Sequence, residues 1–281
     1  MANLKSGARS LITDLTPPIV LRPTLGVWRQ ARGLGSHTFE GCYPALAAVP
    51  CGENRYDDEE IAEATVGSLD TLKTFVANEP TSDNHGRYIL PIVVAQHRGG
   101  PLTVLDFGGG PCVGLRLIAD HVHRFDLSRF TYCLVETPAL CRAIKRRITP
   151  VLLARFGEAS FVTIVEDIPA AIAGPVLVNA SSAIQYISDY RATIARLAAL
   201  APICFIVSLT PFTDGPTYAR QQLNIPRKKI ATWVFNRAEF ISEMAGLGYS
   251  LSFTVDHELP ITYGNAPGAS SFASMVFYSR H

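Results

Sequence analysis

Thr103-Val104-Leu105-Asp106-Phe107-Gly108-Gly109-Gly110-Pro111-Cys112 is the stretch that decides the fold. It reads as a buried strand that ends on a carboxylate and runs straight into a glycine-rich turn. Val104 and Leu105 suit a central parallel strand, and three glycines let the turn approach a ligand with no Cβ in the way. Residues 115–121 then form the first helix, which completes the opening half of a nucleotide-binding α/β unit. Asp106 speaks against a pyrophosphate at the mouth of the loop and for a ligand carrying ammonium and sulfonium charges. The dinucleotide spacing G-x-G-x-x-G, counted from Gly108, falls on Val113 and misses Gly114. Pro111 removes one N–H that phosphate binding would use.

Strand and helix alternate regularly on the C-terminal side of this stretch, which predicts a mostly parallel sheet. Strands are expected at 130–135, ending on Glu136, at 161–165, ending on Glu166-Asp167, at 176–178, and at 203–209, before Thr210-Pro211. Pro138 opens a basic helix through Arg147, and a further helix spans 189–200. Asn236 and Glu239 have the spacing of a capping box for the helix that stops at Gly246-Leu247-Gly248. Leu251, Phe253 and Val255 alternate as a sixth strand and 272–278 supplies a seventh, so the chain closes on a hairpin. Residues 1–54 are rich in Pro and Gly. Asp57-Asp58-Glu59-Glu60 then opens a helix with acids in its first turn, and Ile61, Thr65, Leu69, Leu72 and Val76 mark its apolar stripe. A second helical stretch covers 88–97. The expectation is an α/β fold: a seven-stranded, mostly parallel, doubly wound sheet with a C-terminal antiparallel hairpin and an N-terminal helical cap. Residues 1–98 are assigned to the cap and 99–281 to the core, with a lid-like insertion at about 211–235.

The 281 residues suffice for one large domain with a full core, and 48% hydrophobic against 17% charged residues describes a compact protein. A net charge of +1 gives no electrostatic case for nucleic acid or a membrane surface. The basic clusters Arg142, Lys145, Arg146, Arg147 and Arg227, Lys228, Lys229 read as a solvated helix face and a charged loop. The six cysteines show neither a C-x-x-C pair nor zinc-like spacing, so a reducing cytoplasm is expected and no metal site. Lys5, Arg9 and Asp14 interrupt any apolar leader, and the uncharged run 168–188 contains Pro169, Gly174 and Pro175, a poor membrane span.

The segment from Asp106 to Cys112 resembles motif I of the Rossmann-like S-adenosylmethionine-dependent methyltransferases, D-x-G-x-G-x-G, with Cys112 at the last glycine. Phe39-Glu40-Gly41-Cys42-Tyr43, Tyr56-Asp57-Asp58, Ser181-Ser182-Ala183-Ile184-Gln185-Tyr186, Thr210-Pro211 and Gln222 extend the resemblance over about residues 39–249. Together they look like a family of bacterial methyltransferases associated with surface-polysaccharide gene clusters. The family's tryptophan after Phe-x-Gly-x-Tyr is missing from 45–50. The resemblance implies methyl transfer from S-adenosylmethionine to a small, sugar-linked acceptor at oxygen; a homodimer is compatible with it.

In an open parallel sheet the ligand lies at the carboxyl ends of the strands. Asp106, Phe107, Gly108, Gly109 and Gly110 are therefore the cofactor loop, and Glu136 is the acid for the ribose hydroxyls. Asp167 matches the position for the adenine amino group, although it equally suits a helix N-cap. Asn179 and Ser181, with Ser182, line the end of the fourth strand. Methyl transfer from a sulfonium is an in-line displacement that needs alignment more than acid–base chemistry. A hydroxyl acceptor would still gain from a base, for which His85, His257 and Tyr186 are candidates. Each also has a plain structural reading: a polar turn, an exposed strand end and a core aromatic with a wet hydroxyl. His121 and His123 read as surface residues. Tyr43, Gln185, Tyr218 and Gln222, with Phe39 and Trp233, are candidates for the acceptor side. A nicotinamide-dependent oxidoreductase and a catalytically silent binding module remain open at this point.

Overall fold

The computed structural model describes residues 38–51, 57–67, 88–97, 100–122, 126–225, 228–257, 262–263 and 270–280. In chain order the strands are β1 (Thr38–Tyr43), β2 (Leu102–Phe107), β3 (Phe130–Val135), β4 (Val162–Val165), β5 (Val176–Ser181) and β6 (Cys204–Thr213), then β7 (Tyr218–Ile225), β8 (Lys228–Asn236), β9 (Tyr249–His257), β10 (Thr262–Tyr263) and β11 (Ser270–Ser279). The helices are α1 (Glu59–Gly67), α2 (Ile89–Gln96), α3 (Val113–His121), α4 (Pro138–Arg147), α5 (Thr149–Phe156), α6 (Tyr190–Ala198) and α7 (Arg237–Gly246).

Among the described residues the sheet has eleven strands, where the sequence reading expected seven. The seven are present, in the order β4-β3-β2-β5-β6-β11-β9, with β11 antiparallel between β6 and β9. The other four correct the reading of the flanking segments. β1 comes from the part read as a helical cap, and β7 and β8 from the part read as a lid. The two-residue β10 pairs in parallel with β1. β1, β7 and β8 form antiparallel pairs, and β8 joins the main sheet through Phe212↔Phe235 and Thr213↔Asn236 of β6. A strand has two edges. β11 runs along one edge of β6, so the other passes from β5 at Cys204–Ser208 to β8 at Phe212 and Thr213. At the handover Leu209 takes a left-handed backbone (φ 52°), opposite a bulge between Ala273 and Met275.

Alternation along β2 feeds both faces. Val104 packs into the cluster made with α2, α3, α4 and α5, while Leu105 packs into the cluster made with α6 and α7. Thr137 caps α4 ahead of Pro138, and Lys145, Arg146 and Arg147 occupy its last turn, where cations suit the macrodipole. The basic face of α4 is more than a solvated surface. Arg142 pairs with Glu59, Arg146 and Arg147 both pair with Glu63, and α1 is thereby held against α4. The capping box at α7 is half made: Asn236 Oδ1 accepts from Glu239 N at 2.8 Å, but the Glu239 carboxylate goes to Thr217. The positions Leu69, Leu72 and Val76 of the expected stripe lie outside the described residues.

Candidate functional site

Asp106 is the last residue but one of β2, on the α3 side of the sheet, two residues after Val104. Its carboxylate is 1% exposed and turned inward. Tyr132, on β3, donates its hydroxyl to Oδ2, and Asn179, at the end of β5, donates Nδ2–H to Oδ1 at 2.7 Å. Three neighbouring parallel strands are thus tied together directly beneath the glycine loop. Burial, with the Asp106 charge next in size, pushes the Tyr132 hydroxyl well above the usual phenol range, so it stays a donor. The loop then folds back over this group. A Cβ on Gly109 would fall on the Asp106 carboxyl and 2.8 Å from Leu134 Cδ1, and one on Gly108 would stand 2.5 Å from Ala183 Cβ. Only glycine permits this approach.

Glu136 follows β3 and is also buried, at 9% exposure. Its Oε1 accepts from Gly110 N at 2.7 Å and its Oε2 from Thr137 N at 3.1 Å. Burial pushes this carboxyl up to about 7, although the two N–H bonds pull the other way. Cys112, in the place of the last motif glycine, adopts φ 58° and is fully buried; its thiol is raised by burial and by Asp106. Beyond Gly110 the space is open among the described residues: apart from its chain neighbours, none of them has an atom within 4 Å of a Cβ built there. A buried ionisable carboxylate beside an open, glycine-lined space suits a ribose and a cationic group, so the residues present fit S-adenosylmethionine. Among the described residues no group of three or more His, Cys, Asp or Glu could hold a metal ion.

The remaining sequence candidates scatter. Asp167 stands at the surface, with Oδ1 accepting from Ile168 N and from Arg196, both at 2.8 Å; Arg196 chiefly holds its carboxyl below the usual range. Ser181 ends β5, and Ser182 takes φ 52°. Gln185 is 1% exposed; its Nε2 donates to Ser182 Oγ at 3.1 Å, while its Oε1 has no hydrogen-bond partner among the described residues. Tyr186 donates to Gln222 Oε1 at 3.0 Å, which joins the end of β5 to β7. Tyr218, Arg220 and Gln222 share one face of β7 by their i, i+2 spacing. There the buried Arg220 guanidinium lies 4.9 Å from the Phe39 ring centre and 5.6 Å from that of Tyr218. Tyr43 pairs with Ala219, so it belongs to the opposite face, with Trp233, Leu46 and Val49. A cleft of about 280 Å³ opens on that side between Pro44, Tyr190, Arg191 and Trp233.

His257 lies on β9, across β11 from Pro211 of β6, with Nε2 2.6 Å from Ser274 Oγ. His85 and His123 lie outside the described residues, and His121 packs edge-on against Tyr88. Sequence reasoning missed Tyr132, Asp57, Arg220 and Ser274. Tyr132 did carry a signal, a phenol hydroxyl inside the apolar run of the strand beside Asp106. Asp57 was read for the helix it opens and not for the helix it caps.

No protein-family model matches the chain, and no curated protein sequence does. Solved structures do. The N-terminal domain of EvdMO1, solved in the presence of S-adenosylhomocysteine and D-fucose, is 12% identical over 79% of this chain and 96% of its own, with a TM-score of 0.50. A chain of the complex between the Haloferax volcanii Trm112 methyltransferase activator and its methyltransferase is 13% identical, over 79% and 96%, also at 0.50. At these identities the likeness shows the fold alone. The chain has the Rossmann-like methyltransferase fold. No helix among the described residues is long and apolar enough to cross a membrane.

Proposed function

We propose that this protein transfers a methyl group from S-adenosylmethionine to oxygen of a small, sugar-linked acceptor in surface-polysaccharide synthesis. The observation that carries the reading is the anchored glycine loop. Asp106 is spent on tying β3 and β5 to β2 beneath it, Glu136 closes it at Gly110, and no described residue fills the space beyond. The bound cofactor supplies an electrophilic methyl group on a sulfonium.

The chain's own residues bind and orient. Gly108, Gly109 and Gly110 bring backbone close to the cofactor. Glu136 accepts from the ribose hydroxyls by exchanging its loop N–H partners for them. Asp106, Phe107, Asn179 and Ser181 shape the floor, and Asp167 serves the adenine amino group on giving up Arg196. The Tyr186–Gln222 pair, Gln185 and Tyr218 line the acceptor side, with Tyr43 at its outer face. An acceptor hydroxyl would pass its proton to His257, His85 or Tyr186. The core is residues 99–281 with β1 added to its sheet, the rest of 1–98 is the cap, and 211–235, although it carries β7 and most of β8, excludes water from the acceptor. The setting is the cytoplasm, on a small molecule and without nucleic acid or membrane; a homodimer is consistent with it.

Calorimetric titration with S-adenosylhomocysteine, with NADH in a parallel cell, tests the proposal. Binding of S-adenosylhomocysteine alone supports it. Binding of NADH alone replaces it with an oxidoreductase, and binding of neither leaves a silent module.

A further inference from the structure

The backbone donors at the start of α4 can be followed one by one. Thr137 N donates to Glu136 Oε2 at 3.1 Å, Pro138 has no N–H, and Leu140 N reaches Thr137 Oγ1 at 3.5 Å. Cys141 N makes the first intrahelical bond, to Thr137 O, at 2.8 Å. That leaves Ala139 N, and its acceptor comes from far away in the chain: Asp57 Oδ1, at 2.9 Å, immediately before α1. A helix start satisfied by a side chain from another segment ties the two segments together.

The tie continues down the helices. Asp57 meets Ala139, Glu59 meets Arg142, and Glu63 meets Arg146 and Arg147. The chain offset stays between 82 and 84 residues, so α1 and α4 run side by side in the same direction. The ion pairs are exposed and contribute little each. The Asp57 contact differs, because it falls on the segment that carries Glu136. A chain of hydrogen bonds and short backbone links runs from Asp57 through Ala139 and Thr137 to Glu136, and from Glu136 Oε1 to Gly110 N.

We propose that Asp57 is a positioning residue for cofactor binding: by capping α4 from the N-terminal segment it holds Glu136 against the glycine loop. Docking of α1 and occupancy of the loop are therefore linked. This rests on the methyltransferase reading. It assigns to the N-terminal segment a role at the cofactor end, distinct from covering the acceptor.

Calorimetric titration of the full chain with S-adenosylhomocysteine is the test, on wild type, Asp57→Ala, Asp57→Asn and Glu59→Ala. Asp57→Ala is expected to weaken binding about tenfold, the size of effect that loss of a helix cap produces. Asp57→Asn keeps an acceptor oxygen and is expected to restore most of the affinity. Glu59→Ala removes only the exposed Arg142 pair and is expected to bind as wild type. Should Asp57→Ala fail to fold, hydrogen exchange of α1 in wild-type protein carries the question: its amides are expected to exchange more slowly with S-adenosylhomocysteine bound. Wild type that binds nothing overturns the functional reading. Wild type that binds, with Asp57→Ala within twofold of it or with α1 exchange unchanged, overturns this inference and leaves that reading standing.

Discussion

The Gly110 amide donates to Oε1 of Glu136 at 2.7 Å, so the last residue of the glycine loop is latched to the acid that follows the neighbouring strand. The latch occupies an oxygen that the ribose would need. Binding on the proposed reading is therefore an exchange of partners at a buried carboxylate, and the ionised form serves both sets of donors better than the neutral one.

From this follows a pH dependence with opposite signs for stability and for binding. Glu136 titrates near its ordinary 4.5 in the unfolded chain and at about 7 in the folded one, raised by burial. A raised carboxyl pKa adds stability that is full below the unfolded value and is lost as pH rises through about 7. The difference is on the order of 3 kcal/mol. Affinity for S-adenosylhomocysteine runs the other way, weakening as pH falls through the same value. Melting curves and titrations between about pH 5 and about pH 8 check both signs. Glu136→Gln should flatten both dependences, binding more weakly than wild type above about pH 7 and approaching it at the acidic end; two parallel curves for wild type and variant would contradict the assignment.

Gly109 and Gly110 separate packing from ligand space. A methyl on Gly109 collides with the Asp106 carboxyl and Leu134, both held in the sheet, so Gly109→Ala should yield little folded protein. A methyl on Gly110 meets no atom of the other described residues within 4 Å beyond its chain neighbours, and its cost in the apo protein is the left-handed backbone (φ +56°), about 1–2 kcal/mol. Gly110→Ala should therefore fold, melt a few degrees lower, and lose S-adenosylhomocysteine affinity by more than tenfold. Equal affinity would place the ligand elsewhere.

The core sheet was legible because its strands are bounded by local chemistry. The strand at 130–135 and the helix at 138–147 came out to the residue, since Glu136-Thr137-Pro138 punctuates them unambiguously. The extra strands were not legible. β7 mixes Arg220, Gln221 and Gln222 on both of its faces, and β1 contains Gly41, so neither shows a period of two that declares a strand. Their partners lie in distant segments. The orientation of Asp106 was equally hidden. A carboxylate after an apolar strand reads the same whether it faces ligand or, as here, Tyr132 and Asn179, and only the register of β2 with β3 and β5 brings those donors to it.

Removing one of those donors has a predictable size. Tyr132→Phe keeps the ring, which is fully buried, and leaves Asp106 Oδ2 without its hydroxyl donor. A buried charged acceptor stripped of a donor costs about 1–3 kcal/mol. Denaturant melts should show a lower midpoint with an unchanged slope, because the surface exposed on unfolding is the same. A loss below about 0.5 kcal/mol would mean that Asn179 and the other partners of Asp106 keep the carboxylate satisfied.

Ser274 holds the place where β6 changes neighbours. It is fully buried on β11, accepts from Leu209 N at 3.2 Å and lies 2.6 Å from His257 Nε2. Leu209 cannot give that N–H to a strand partner, because its left-handed backbone (φ 52°) sits at the bulge. Ser274→Ala therefore strands a buried N–H and should destabilise by about 1–3 kcal/mol. Ser274→Thr keeps the hydroxyl at the expense of one methyl in a packed site and should cost less than Ser274→Ala if the hydrogen bond dominates. His257→Ala leaves the Leu209 bond intact and should change stability by less than Ser274→Ala. The same variant then becomes informative about chemistry: a loss of methyl transfer with cofactor affinity retained would assign the proton to His257, and full transfer would leave it with His85 or Tyr186.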